Sequence, residues 1–283
     1  MKSGFLGGQA VMEGVLILFK DVYAVAVQTP TGIKTWSSKP RILKSKLLQI
    51  PFIRGVVALI AMAGIGSKAM LRASQYSSEE DEELSTTTLI ITAVVSLLLA
   101  FIFFKLAPLL FTVSVLPEAN RFIFNLLDGL LRIAAVVAYI ILIARMSEIK
   151  RLFEYHGAEH KVINAYEQGE LSLAGARKQS RYLGRCSTTF VVLVLLTAIL
   201  IYSLTPLDMP FWQLLLVRVL LLVPIAGVSY EIIRWSATRN NKWYVRAVLA
   251  PGFWLQRLTV REPNDDQLRV ALAAVKAVQK ASS

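Results

Sequence analysis

The two histidines of the chain lie in one five-residue string, HGAEH at residues 156–160. On a helix, His156 and His160 are one turn apart and point the same way. Steps of about 100° per residue place both on an otherwise apolar stripe that ends at Glu167. The string also matches the H-x-x-E-H signature of inverted zinc peptidases, in which two histidines bind zinc and the glutamate is the general base. It predicts a metal centre at His156 and His160, with Glu159 as the catalytic base.

A catalytic zinc ion takes three protein ligands and a water, and this string supplies two of the three. Glu167, two turns beyond His160, is the simplest local third ligand. Glu13, Cys186 and Glu231 are remote alternatives. A thiolate at Cys186 favours a closed structural site, whereas a carboxylate suits catalytic zinc or iron. The predicted cofactor is a divalent transition metal, zinc first.

A second interpretation needs no metal, because buried histidines are often satisfied by hydrogen bonds alone. Gly157 weakens a helix by roughly 1 kcal/mol relative to alanine. If His156 stands at a helix start, the one-turn geometry of the pair is lost. The sequence leaves both interpretations open.

The composition indicates which elements position this string. Of 283 residues, 55% are hydrophobic and 18% are charged, against about 25% charged in a soluble domain. The single cysteine excludes a disulfide within the chain. The fold class expected is a mainly α-helical, polytopic membrane protein. Four stretches come near the roughly 20 residues that a spanning helix needs: Leu89–Phe111, Phe122–Ala144, Thr189–Leu204 and Leu214–Tyr230.

The remainder predicts a smaller α+β part. Residues 22–36 read as an N-terminal β-hairpin, expected to pack on residues 145–187 or on the tail, and residues 261–283 as an amphipathic helix. The apolar run Val56–Ile65 is too short to cross hydrocarbon at about 1.5 Å per residue, so it predicts a re-entrant, interfacial or protein-buried helix. The predicted segments are 1–84 (hairpin and interfacial helix), 85–145 (spans 1 and 2), 146–187 (loop with the histidine string), 188–230 (spans 3 and 4) and 231–283 (tail).

Lysine and arginine predict the orientation. Residues 1–84 hold ten of them, 145–187 eight and 229–283 nine, whereas 105–121 holds two and 205–213 none. Both termini and the 146–187 loop are therefore expected in the cytoplasm. The net charge of +12 is explained by a basic surface facing anionic lipid, without a specific nucleic acid partner.

Three charged residues fall inside predicted spans. Asp128 and Arg132 are four apart with the acid first, the favourable order for a helix pair. Arg218 has no local partner, so pairing with Asp128 on a neighbouring span or snorkelling to the surface would satisfy it. These residues predict a structural pair or, alternatively, a polar path for a substrate.

Several strings together carry a family resemblance: GGQAVMEGV at 7–15, PFIRG at 51–55, YHGAEHK at 155–161, RC at 185–186, VSYE at 228–231 and APGFWLQ at 250–256. The chain resembles the bacterial YqhQ-like membrane proteins from about Gly7 to Val270. Gly184 stands where relatives are expected to have a proline.

The resemblance implies a membrane fold in the bacterial plasma membrane and a set of motif residues. These residues are Glu13, His156, Glu159, His160, Glu167 and Cys186. The family is labelled a predicted metal-dependent enzyme, which implies a metal centre and no particular reaction.

Three functions follow as hypotheses. The first is a metal-dependent hydrolase acting on a membrane-proximal peptide or lipid-like substrate. The second is a non-catalytic scaffold or biogenesis factor that docks a cytoplasmic protein partner. The third, a transporter, rests only on Asp128, Arg132 and Arg218 and requires the chain to form a homo-oligomer. In each case the lipid bilayer is the first partner.

Overall fold

The computed structural model describes residues 6–77, 86–116, 118–239 and 242–282. Within these ranges the chain is mainly helical and forms one antiparallel sheet of four strands, in the order β1-β2-β3-β4. The strands are β1 (Gly7–Val11), β2 (Gly14–Phe19), β3 (Val22–Thr29) and β4 (Gly32–Ser38). Two short 3₁₀ turns follow at Arg41–Lys44 and Lys46–Gln49.

Eleven α-helices are formed by the described residues. They are α1 (Ile53–Ser77), α2 (Thr86–Phe101), α3 (Ala107–Val115), α4 (Arg121–Ile143), α5 (Ser147–Gln168), α6 (Leu173–Lys178), α7 (Ser187–Ser203), α8 (Phe211–Leu220), α9 (Leu222–Ala237), α10 (Trp243–Thr259) and α11 (Asp265–Ser282). A π-helical segment, Ile102–Leu106, joins α2 to α3.

Both faces of the sheet are buried, because successive side chains of β2 and β3 alternate between two apolar clusters. Ile17 and Ala24 pack with α5 and α11 on one face. Leu16 and Val25 pack with α1 on the other. The predicted hairpin is confirmed as β3 and β4, and it packs on both elements expected, the 145–187 region and the tail. β1 and β2 form a second hairpin, which was not predicted from the sequence.

The amphipathic tail helix is confirmed as α11. Leu268, Val270, Leu272, Val275 and Val278, the apolar positions of the tail, are all buried. Their contacts with the sheet and with α5 form the largest apolar cluster described. The layer that carries the histidine string is therefore a three-part core of sheet, α5 and α11.

Four helical segments of the described residues are long and apolar enough to cross a membrane: 53–76, 90–115, 121–143 and 211–237. Three of these correspond to predicted spans, so the chain is a membrane protein of the expected class. The predicted span Thr189–Leu204 forms α7, an apolar helix of 17 residues. It is therefore shorter than the other three.

The expectation for residues 51–71 is corrected in its length. The helix does not end with the apolar run at Ile65 but continues to Ser77, because its later turns have one face that the sheet can bury. Ile65 and Ala69 lie in the cluster beneath the sheet. At its start, Gly55 packs against Tyr230 of α9. α1 is therefore itself long and apolar enough to cross a membrane, so the expectation that this segment is too short to span is wrong, and its later turns also pack on the sheet. The predicted boundary at residues 84 and 85 lies outside the described residues.

Candidate metal centre

Both histidines are carried by α5, which runs unbroken through Gly157. A side chain at that position would collide with the carbonyl of Arg261, and the backbone N–H of Arg261 donates to Phe153 O at 2.9 Å. The glycine therefore lets the segment between α10 and α11 lie directly against α5. His156 stands mid-helix, so the one-turn geometry of the histidine pair is kept.

Three potential metal ligands converge at the junction of α5 and α7. One nitrogen of His156, one of His160 and the Sγ of Cys186 all lie within 4.8 Å of one another. His156 Nε2 lies 3.1 Å from Cys186 Sγ. His160 is 1% and Cys186 4% exposed, so two of the three donors are shielded from bulk water.

The outer nitrogen of each histidine faces a backbone carbonyl. His156 Nδ1 lies 3.0 Å from Thr259 O, and His160 Nδ1 lies 2.6 Å from Arg181 O. Because a carbonyl only accepts, both rings hold their proton on Nδ1, which leaves the Nε2 lone pairs for the centre. A hydrogen bond of this kind fixes the tautomer and orientation of histidines that bind metals.

Cys186 is placed by the N-terminus of α7. Its Sγ accepts from the backbone N–H of Thr188 at 3.3 Å, in the position of a helix cap. This bond fixes the direction of the Sγ at the start of the helix. The sequence offered this residue as one remote alternative among three.

Gln256 of α10 fixes the backbone just ahead of Cys186. Its Oε1 accepts from Leu183 N at 3.1 Å, and its Nε2 donates to Leu183 O and to Thr189 Oγ1, each at 2.8 Å. The side chain is fully buried. This role was not predicted from the sequence, although an amide at the end of the apolar string APGFWLQ at 250–256 is a usable signal.

Glu159 points from α5 toward β1, where its carboxyl packs against Gly8. The residue is 4% exposed. Burial raises the pKa of Glu159 to about 7, and the nearby charges of His156 and Arg185 lower it in part. The predicted base is therefore a buried carboxyl beside the histidine string, on a different face of α5.

Glu167, the predicted third ligand, is corrected. Its carboxylate accepts from Arg185 Nη2, and it does not belong to the donor group that contains the histidines and Cys186. Seven residues beyond His160 is about 10 Å along a helix axis, too far for one metal ion. Glu167 therefore shares the helix face of the histidines but lies too far along the helix to be the third ligand.

The two other carboxylate candidates form ion pairs between elements. Glu13 lies in the turn between β1 and β2 at a φ of 50° and accepts from Arg151 and Tyr155 of α5. Glu231 on α9 accepts from Arg54 Nε at 2.7 Å at the start of α1. The Glu13 pairs join the sheet to α5, the Glu231 pair joins α9 to α1, and neither carboxylate belongs to the donor group.

The charged residues of the spans form a separate buried cluster. Asp128 accepts from Arg132 on its own helix, at 3.0 Å, and from Arg218 of α8, at 2.6 Å. Arg218 therefore takes the first of its two expected alternatives, pairing across helices. Lys105 of the π-helical segment donates to Tyr202 Oη at 2.7 Å. All of these side chains are buried.

Comparisons with known proteins identify the family. The family model described as protein of unknown function (DUF1385) matches residues 50–281. The chain is 33% identical over 286 aligned positions to the protein called "Uncharacterized protein YqhQ" from Bacillus subtilis (strain 168), covering 94% of this chain and 89% of the relative. No solved structure matches the fold. The chain belongs to the DUF1385 family of YqhQ-like proteins.

Proposed function

We propose that this chain is an integral membrane metalloprotein that binds one divalent transition metal ion, zinc first, through His156, His160 and Cys186. The observation that carries the proposal is the convergence of three potential metal ligands, two of which are histidines whose Nδ1 atoms already bond backbone carbonyls. Two imidazoles and a thiolate suit zinc in charge and softness. Zinc–nitrogen and zinc–sulfur bonds of about 2.0 and 2.3 Å require a small inward movement of the three side chains.

The reaction class proposed is hydrolysis of a membrane-proximal substrate. His156, His160 and Cys186 would hold the ion, which would supply Lewis acidity to a water or to a substrate carbonyl. Glu159, the buried carboxyl adjacent to His160 in the chain, is the proton acceptor in this proposal, and to act as one its carboxyl would have to turn from Gly8 of β1 toward the centre. The charge of Arg185 lowers the pKa of Glu159 in part, while its guanidinium donates to Glu167.

Metal content of the full chain, purified in detergent without chelator, tests the centre. We expect about one transition metal ion per chain, lost in Cys186→Ser and in His156→Ala/His160→Ala. Glu167→Gln is the matched control, because it changes a carboxylate of the same helix that pairs with Arg185, and it keeps the metal. Metal-free wild-type protein, or equal loss in the control, contradicts the centre.

Glu159→Gln tests the reaction separately. The substitution keeps the shape of the side chain and removes the proton acceptor, so the protein should retain its metal and lose its cellular function. Complementation of a deletion strain by this variant, at wild-type abundance, contradicts the hydrolase and leaves the metal centre standing.

A non-catalytic scaffold remains the second candidate, and one observation favours it. The three potential ligands lie on α5, which packs on the sheet, and at the start of α7, which belongs to the bundle of apolar helices with α4 and α8. A metal ion bound there would also hold the sheet and this bundle together. In that case the cytoplasmic layer docks a protein partner, and Glu159→Gln is silent whereas His160→Ala lowers stability and partner capture.

The orientation proposed places both termini and the metal centre on the cytoplasmic side of the bacterial plasma membrane. It is supported by the density of lysine and arginine in the sheet layer and the tail. A C-terminal fluorescent or phosphatase fusion tests it, since the two reporters are active on opposite sides. Phosphatase activity without fluorescence contradicts it.

A further inference from the structure

A cleft of about 300 Å³ opens between α5, the loop ahead of α7, and α10. One wall is polar, with the side chains of Asn164 and Tyr182. The other wall belongs to α10, where Arg246 stands at the rim above the apolar Leu249 and Phe253. Such a division suits a ligand with a polar end and an apolar end.

The outer face of α10 shows where this cleft sits relative to the membrane. Trp243, Tyr244, Val248 and Trp254 are large apolar or aromatic side chains exposed on that face. Five residues separate the end of α9 from the start of α10. α9 is part of the segment 211–237 that can cross a membrane. Tryptophan and tyrosine concentrate at the boundary between hydrocarbon and water. On this basis the start of α10, beside the cleft, is expected at the level of the lipid headgroups.

The charge of the cleft favours an anion. The lining carries two charged side chains, Arg246 and Glu167, and Arg185 next to Glu167 brings the three groups to a net charge of +1. The lining carboxylate Glu167 accepts from Arg185, which balances its charge. Arginine binds phosphate oxygens through two parallel hydrogen bonds.

The cleft also adjoins the candidate metal centre. Leu183 and Gly184 line it, and Cys186 follows them by two residues. Asn164 lies one turn beyond His160 on the same helix. A headgroup in the cleft is thus next to the backbone that positions the thiol.

We propose that this cleft binds the phosphate headgroup of a membrane lipid, with Arg246 on the phosphate and the first part of the lipid chain against Leu249 and Phe253. Binding needs no metal. That this class of amphiphile is also the substrate rests on the proposed function.

Lipid binding by the full chain tests the cleft. Native mass spectrometry from detergent measures binding of phosphatidylglycerol and of phosphatidylcholine with the same acyl chains. We expect a preference for phosphatidylglycerol that falls about tenfold in Arg246→Gln, the loss typical of one charge-assisted hydrogen bond, and that Arg246→Lys largely restores. Arg239→Gln is the matched control, because Arg239 is an exposed arginine that stacks on Trp235 outside the cleft.

Three results overturn the proposal. Equal weakening by Arg246→Gln and Arg239→Gln shows general surface attraction. Equal binding of the two lipids shows that the anionic headgroup is not recognised. Competition by inorganic phosphate at the concentration of the lipid shows a site for a soluble phosphate compound.

The same samples separate this proposal from the proposed function. The double variant His156→Ala/His160→Ala should lose its metal and keep the phosphatidylglycerol preference. Preference without metal in the wild type leaves the cleft standing and removes the metal centre. Metal without preference does the reverse.

Discussion

Two buried polar clusters of this protein differ in what their groups face. In the bundle, Asp128 accepts from Arg132 and Arg218, and Lys105 donates to Tyr202. Donors there meet acceptors. In the candidate metal centre, by contrast, two imidazole nitrogens and a sulfur face one another, while the donors of the rings point outward to carbonyls.

The difference separates a cluster that stabilises the fold from one that can take a ligand. Charges brought into a low-dielectric interior must be paired, and the bundle pairs them across α4 and α8. Among the three facing groups the Cys186 thiol is a weak donor that lies 3.1 Å from His156 Nε2, whereas a shared cation would engage the lone pairs of all three. Both clusters are buried, so burial does not distinguish them. They differ in where their hydrogen-bond donors point: toward acceptors inside the first cluster, and outward to backbone carbonyls in the second.

The largest effect is expected in the bundle. Asp128→Asn leaves the guanidinium groups of Arg132 and Arg218 without their common counter-charge, which costs about 3–5 kcal/mol in a buried pair. A fall of that size in the free energy of unfolding in detergent, with metal content unchanged per folded chain, supports the comparison. Asp265→Asn, which breaks an exposed pair with Arg177, is the control and should change stability little.

The second effect concerns metal-linked stability. A ligand that binds only the folded state adds about 2.7 kcal/mol at a free concentration 100 times its Kd. We expect zinc to raise the unfolding midpoint of the wild type and to leave that of Cys186→Ser unchanged. A rise of the same size in both proteins places the ion elsewhere.

A smaller effect is expected from the side chain that holds the loop before Cys186. Gln256→Ala keeps all three donors and frees Leu183, so metal affinity should fall about 10–100-fold, as for other residues that orient ligands. Gln267→Ala removes another buried amide, one that bonds Glu154 at 2.8 Å on the far side of α5, and should not change metal affinity. Isothermal titration of both variants measures this, and equal losses would mean a general packing effect.

The smallest effect is expected at the pair of Arg185 and Glu167, whose side chains are 12% and 29% exposed. An ion pair near the protein surface contributes on the order of 1 kcal/mol or less. Glu167→Gln should therefore shift the unfolding free energy by no more than about 1 kcal/mol and keep the metal. Loss of metal in this variant would restore Glu167 as a ligand.

The sequence predicted the elements whose signals are local. The apolar lengths of α4 and the 3.6-residue period of α11 located both helices, and the spacing of His156 and His160 placed both on one face. The end of α1 was misjudged because its second half owes its helical burial to the sheet, a contact far away in the sequence.

The third ligand needed tertiary information. Glu167 shares the stripe of the histidines, but one helix alone does not show that Arg185 engages its carboxylate. Cys186 is 26 residues beyond His160, and only the return of the chain at α7 brings it close. Sequence distance of this kind leaves no periodic signal to read.

X-ray absorption at the edge of the metal, on full-length protein loaded with zinc, tests the central claim most directly. The account predicts one sulfur at about 2.3 Å and two imidazole nitrogens at about 2.0 Å, with the sulfur contribution lost in Cys186→Ser. A first shell of oxygen and nitrogen alone in the wild type would contradict it.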